Sequence, residues 1–408
     1  MMPRSLIPML AGALMLAASS AAPAQDGKYP DPGISDTEVV IGSSYPFSGP
    51  AAAYGVVSEG AQAYFGLVND RGGVNGRKIR FVVLDDAYQP SRVVTNIRQL
   101  VERDHVFAIF NIGGTAHNLA VLNYINEQKI PQLYINTGAD VFGLTPDKNP
   151  WTLIGIPSYG SEAAAFAQYL NQVKPQAKVS VLYQADAFGQ DLLRGLKTAV
   201  QGSTVSLVAE ESYNPTEPSV DSQVSKLQRP GADVFVNFSI PKFAAQAIRR
   251  VSELGWKPLQ LLTSVSASTE LVLKPAGLET AQGIVSTAFL KDPSDPRFAE
   301  DPGVLEYKAA LTKAFLKANP SDPLRIRGYA LAQVLVKALQ DMKEPSRVGL
   351  MSAAVHMDAE LPMFLPGTRI VTSPTNYFPI QHLTIERFEG DRWALQGEPI
   401  DTSKLRSH

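Results

Sequence analysis

The 408-residue chain carries 37 Lys and Arg against 39 Asp and Glu, a formal net charge of -2, and 45% of its residues are hydrophobic. That apolar content over that length fills one large or two ordinary cores, which excludes a disulfide miniprotein or a disordered chain. The balanced charge leaves no electrostatic footprint for nucleic acid. Cysteine is absent, so disulfides, thiolate nucleophiles, cysteine-bound metals and lipidated-cysteine anchors drop out together.

The first 24 residues read as an export signal. Arg4 gives a positive start, Leu6 to Ala18 is an uncharged Leu/Met/Ala run, and Ala22-Pro23-Ala24 is a small-x-small cleavage pattern. The run is shorter than the roughly 20 residues that span a bilayer, so cleavage near Gln25 is expected, followed by a linker over 25–36. Val39 to Gly42 then reads as a strand, with Val57, Ala61, Tyr64, Phe65 and Val68 on one helical face after it. Ile79 to Leu84, Val106 to Phe110 and Leu133 to Ile135 continue as strands, separated by helices around Val93 to Val101 and Asn118 to Gln128. This alternation predicts an α/β fold with a parallel sheet covered on both faces.

Trp151 to Pro157 reads as a crossing into a second unit of the same kind. There Val179 to Tyr183, Val205 to Ala209, Val234 to Phe238 and Leu259 to Leu262 read as strands, with helices through Leu192 to Val200 and Ala244 to Val251. Gly283 to Leu290 reads as a strand returning to the first lobe. Two long helices follow, Val304 to Lys317 and Tyr329 to Lys343. Ile380 to Phe388 and Trp393 to Leu395 read as a strand pair across Glu389-Gly390-Asp391.

No H-E-x-x-H, G-x-S-x-G, Walker or G-x-G-x-x-G motif occurs, and the histidines at 105, 117, 356, 382 and 408 lack metal-ligand spacing. Surface or helix-cap roles are expected for those histidines, and neither catalytic residues nor a metal or cofactor. Asp85 and Asp86 end a strand where open α/β sheets place their sites. Adjacent strand residues face opposite sides, however, so turn or cap roles fit better than an acid/base couple.

The informative segments are small, polar and lie at strand-to-helix junctions: Ser48 to Gly55, Asn111 to Ala116, and Asn136 to Asp140. Each sets Gly beside Ser, Thr or Asn where a helix begins, which offers unpaired N–H groups and a hydroxyl to an anion; an ordinary N-cap is the alternative for each taken alone. Tyr54 and Phe188 are expected on loops as apolar walls for a small ligand, whereas Tyr45 and Phe47 suit the core equally well.

Three blocks, I-G-S-S-Y-P-F-S-G-P-A-A-A-Y-G (41–55), N-D-R-G-G-V-N-G-R-K-I (69–79) and D-D-A-Y-Q-P-S-R (85–92), resemble the leucine/isoleucine/valine-binding protein family, the solute receptors of amino-acid-type ABC importers. V-L-Y-Q-A-D-A-F-G (181–189), G-A-D-V-F-V (231–236) and E-L-G-W-K (253–257) extend the likeness along the chain. The resemblance implies a type I periplasmic-binding fold: two Rossmann-like lobes joined by three hinge crossings, the first from 37–155 plus 286–365 and the second from 156–285 plus 366–408. It implies that Tyr54 covers the ligand and that Gly114, Thr115, Asn136, Thr137 and Gly138 hold a carboxylate. Phe188, Ser239, Ile240 and Ser264 would form the facing wall.

One departure stands out. Amino-acid binders of this family carry an acid near 264–266 for the ligand ammonium, and a buried ammonium without a partner is costly; here 263–269 reads T-S-V-S-A-S-T. A carboxylate or polar neutral solute, such as an aromatic or short aliphatic acid, is therefore expected in place of leucine, unless Asp186, Glu162 or Asp140 supplies the charge. The resemblance implies a monomer that delivers its solute to an inner-membrane ABC permease, and the export signal with no cysteine to lipidate predicts a periplasmic protein that is not lipid-anchored. A sensor of the same fold, or an exported hydrolase, are the alternatives.

Overall fold

The computed structural model describes residues 28–405, and the export signal expected over 1–24 lies outside the described residues. Strand β1 (Glu38–Tyr45) is buried from its second residue onward. It pairs in parallel with β2 (Lys78–Asp85) on one side and β3 (Ala108–Phe110) on the other. With β4 (Gln132–Ile135) and β5 (Thr152–Ile154) it forms a parallel sheet of order β2-β1-β3-β4-β5. Helices α1 (Gly55–Asp70), α2 (Pro90–Glu102), α3 (Thr115–Glu127) and α4 (Asp140–Leu144) follow the first four strands in turn.

The chain crosses to the second lobe after β5, where the Ser158 hydroxyl accepts from the Ser161 N–H and starts α5 (Tyr159–Val173). There β6 (Lys178–Gln184), α6 (Ala187–Ala199), β7 (Ser206–Tyr213), α7 (Asp221–Gln228), β8 (Val234–Phe238), α8 (Pro241–Glu253) and β9 (Leu259–Leu262) alternate as expected. A π-turn over Thr269–Leu273 and the short α9 (Lys274–Ala276) lead to β10 (Val285–Ala288). This strand was expected to return to the first lobe. Instead it pairs in parallel with β9 in the interior of the second sheet. All four of its residues are buried, and an all-buried strand satisfies a central place in either sheet, so its burial pattern alone cannot choose between them.

The return to the first lobe comes after β10. Helices α10 (Pro302–Ala314), α11 (Pro323–Asp341) and α12 (Arg347–Ala354) cover the first lobe, and β11 (Asp358–Ala359) pairs with β12 (Ile370–Val371). The Tyr377 hydroxyl donates to Pro150 O at 3.0 Å and Thr372 N–H to Met357 O at 2.9 Å, so the chain stays with the first lobe beyond the switch expected at 366. Only then do β13 (His382–Glu389) and β14 (Arg392–Asp401) join the second sheet as antiparallel strands, in the order β14-β13-β10-β9-β8-β6-β7. The expected hairpin across Glu389-Gly390-Asp391 is present, and the second sheet is mixed.

Helix α11 crosses α1 at glycines. A Cβ on Gly328 would strike the Val57 carbonyl, and one on Gly60 would strike the Arg325 carbonyl. The two backbones therefore touch, flanked by the edge-on Tyr64–Tyr329 pair, 4.8 Å between centroids. Among the described residues no helix is long and apolar enough to cross a membrane.

Candidate functional site

In the first sheet β1 has β2 on one side and β3 on the other; in the second, β6 has β7 and β8. At such switch points successive crossovers leave in opposite directions and open a crevice at the carboxyl ends of the strands. The two crevices face each other across a narrow interlobe cavity. Tyr54 after β1, Tyr88 after β2, Gly113 and Gly114 after β3, and Asn136 after β4 line it from the first lobe. Phe188 after β6, Ile240 after β8 and Val265 after β9 line it from the second, with Tyr159 from the start of α5 and Arg327 from α11.

Five residues expected from sequence, Tyr54, Gly114, Asn136, Phe188 and Ile240, thus lie on the cavity wall. Gly114 takes φ +93°, a left-handed region that favours glycine, as it starts α3. Tyr54 and Phe188 are not on loops: Tyr54 closes a 3-10 turn before α1, and Phe188 lies in the first turn of α6. Phe188 meets Tyr159 edge to face at 5.4 Å.

The other five support the wall from behind. The Thr115 and Thr137 hydroxyls are 2.7 Å apart, and Thr137 Oγ1 donates to the Tyr159 hydroxyl at 3.3 Å. Gly138 lets the chain pass Pro157 and Tyr159, since a Cβ there would strike the Pro157 carbonyl; its own carbonyl accepts from Tyr159 N–H at 2.7 Å. Ser239 accepts from the Ser266 hydroxyl through its carbonyl, 2.6 Å. Ser264 donates its N–H to Glu162 at 2.6 Å and accepts at its carbonyl from Arg327 Nη2 at 2.8 Å.

Tyr88, Tyr159 and Arg327 escape the sequence reading. Asp85 and Asp86 do act as turn residues: Asp85 accepts from the N–H groups of Phe47 (2.8 Å) and Ala87 (3.0 Å), and Asp86 from Tyr88 N–H (2.8 Å) and the Ser44 hydroxyl (2.9 Å). Their turn holds Tyr88 at φ +60°, an uncommon conformation for a bulky residue, and presents its ring to the cavity. The D-D-A-Y spacing was the available signal. Tyr88 stacks at 4.5 Å on His117, which is buried rather than on the surface or at a cap, because α3 turns it beneath that turn. Burial holds His117 down to about 4, so it is neutral at pH 7.

The electrostatics centre on Arg327. It is 3% exposed, donates through Nη2 to Ser264 O, and leaves Nε and Nη1 without hydrogen-bond partners. Burial lowers its proton affinity while nearby Tyr54 and Glu162 oppose that shift; a guanidinium nevertheless keeps its charge in proteins. Glu162 is buried and accepts from Thr263 Oγ1 (3.1 Å) and Ser264 N (2.6 Å). It does not line the cavity. Asp186 caps α6 and also accepts from Gln184 Nε2 at 2.6 Å. Asp140 faces a separate groove beside α5 and α6. Arg327 also lines a second, larger cavity that holds Glu386, Asp292 and Lys291.

The family model for the periplasmic binding proteins matches residues 38–390 of this chain. The chain belongs to the periplasmic binding protein family. Leu/Ile/Val-binding protein homolog 7 of Brucella abortus (strain 2308) is 24% identical over 359 residues, 85% of this chain and 86% of that protein. A branched-chain amino acid ABC transporter protein from Thermus thermophilus, solved with bound valine, superposes with a TM-score of 0.81 at 18% identity over 91% of this chain and 99% of that one. The fatty acid ABC transporter substrate-binding protein of Thermomonospora curvata gives 0.78 at 22% identity, over 93% and 96%. At these identities the solved structures establish the fold, the type I periplasmic-binding architecture. In a periplasmic binding protein the interlobe cavity is where a small solute is held.

Proposed function

We propose that this periplasmic binding protein is the extracytoplasmic receptor of an ABC importer, and that it captures a small carboxylate or polar solute by closure of its two lobes. One observation carries the reading: the two switch points face each other over a cavity whose wall includes a buried cation and no acidic residue. A binding site needs few polar groups in an apolar lining, and this wall has that composition. Side chains from both lobes contribute, so a ligand that touches both shifts the open-closed balance by its differential affinity for the closed form. The transport partner follows from the kinds of protein the chain is similar to, two of which are described as ABC transporter components.

The test is a thermal-shift screen of the mature protein against amino acids, aromatic acids, aliphatic acids, amides and sugars. A ligand at 100 times its Kd adds about 2.7 kcal/mol to the folded state. A deletion strain should then lose uptake of the solute found. Silence across the whole screen would sink the receptor reading; normal uptake with a confirmed ligand would sink the importer role. Sequencing the N-terminus of the exported protein should return Gln25 if the signal is cleaved after Ala24.

A further inference from the structure

We infer that Arg327 is the anchor for a ligand carboxylate and that the ligand is an aromatic monocarboxylate with no ammonium group. This deepens the receptor reading above and rests on it. Arg327 is buried in the cavity wall with one hydrogen bond, to Ser264 O, while Nε and Nη1 have no acceptor. A buried cation with a single hydrogen bond is costly, and a carboxylate oxygen can accept a charge-assisted hydrogen bond from Nε or Nη1, which point to opposite sides of Cδ and act as separate donors.

The rest of the wall selects what accompanies the carboxylate. Tyr54, Tyr88, Tyr159 and Phe188 supply four rings. The Tyr159 hydroxyl accepts from Thr137 and the Tyr88 hydroxyl from Gln184, each at 3.3 Å, which holds both rings in the wall and leaves each phenol proton free to donate to a ligand oxygen. Ile240 and Val265 add aliphatic surface. The polar counterpoint is Asn136, whose buried Oδ1 lacks a partner; a neutral amide oxygen accepts a hydrogen bond but does not neutralise an ammonium. Glu162, a carboxylate close to this wall, is bound to Thr263 and Ser264 and lies off the cavity.

Calorimetric titration of the mature protein with benzoate, phenylacetate, hexanoate, benzamide, phenylalanine and leucine tests this. An aryl acid should bind most tightly, at least about tenfold better than benzamide, a ratio typical of a charge-assisted hydrogen bond. Arg327→Gln should bring the acid and the amide within about twofold of each other. If that variant does not fold, Arg327→Lys, which keeps the charge and loses the directed guanidinium donors, should narrow the ratio while the wild-type ratio itself stays decisive. Equal binding of benzoate and benzamide by the wild type, or an unchanged acid preference in a folded Arg327→Gln protein, overturns the inference. So does tightest binding of leucine, phenylalanine or hexanoate, which leaves the receptor reading standing. Failure of every solute class in the wider thermal screen removes both.

Discussion

The carboxylate of Asp186 accepts from the N–H groups of Phe188 and Gly189 at 3.0 and 3.3 Å. It thereby supplies two of the acceptors that a helix N-terminus lacks and fixes the first turn of α6 where Phe188 enters the cavity. Asp186→Ala is expected to lower stability by about 1 kcal/mol in urea unfolding and to weaken binding of whichever solute packs on Phe188. Glu386 carries a different consequence. Burial, with the neighbouring charges of Asp292 and Glu162, pushes its carboxyl from 4.5 up to about 8, and Arg327 opposes the shift. Between those two values the folded state keeps a proton that the unfolded chain releases, so stability falls as pH rises through that window. Urea unfolding from pH 4.5 to 8 should show the fall, and Glu386→Gln should flatten it. Asp86, raised by burial to about 6, leaves the variant a shallower decline below that value. Neither Glu386 nor Arg327 was legible as special in sequence, because both sit in ordinary alternating or helical patterns and only tertiary packing brings them to one place.

Helices α1 and α11 illustrate both what was readable and what was not. The apolar face Val57, Ala61, Tyr64, Phe65 and Val68 announced α1, and a long helix through Tyr329 announced most of α11. Their contact did not show, since a glycine reads alike whether it is solvated or pressed on another backbone. The distinction is testable. Gly328→Ala should destabilise by about 1–3 kcal/mol through overpacking against Val57. Gly66→Ala lies in the same α1, is exposed and meets nothing within 4 Å, and should stabilise by up to about 1 kcal/mol through helix propensity. Strand β10 repeats the lesson: its existence was legible from local composition, but its sheet was not, because pairing with β9 and β13 depends on residues far along the chain.

At the scale of the whole molecule, the two lobes touch through polar contacts, one of them to a ring of the cavity wall. Asp191 of α6 accepts from Asp140 N–H at 2.9 Å, and Gln184 donates to the Tyr88 hydroxyl at 3.3 Å. Asp191 does not line the cavity, so Asp191→Ala should weaken all solutes by a common factor rather than change their ranking, and small-angle scattering of the free protein should report a larger radius of gyration. The two-lobed plan was open to sequence because helix and strand periods are local; which residues meet across the cleft was not, beyond those at strand ends. The α1–α11 contact also bears on the order of synthesis. Residues 55–70 are crossed by residues 323–341, so the side of α1 that meets α11 has no final partner until most of the chain has been made, even though Phe65 on its other side packs on Phe81 and Phe110. Each lobe is discontinuous, and no N-terminal fragment ending before α11 can complete even the first one. The nascent chain must therefore be kept from aggregating over nearly its whole length, and its folding commits late and as a unit.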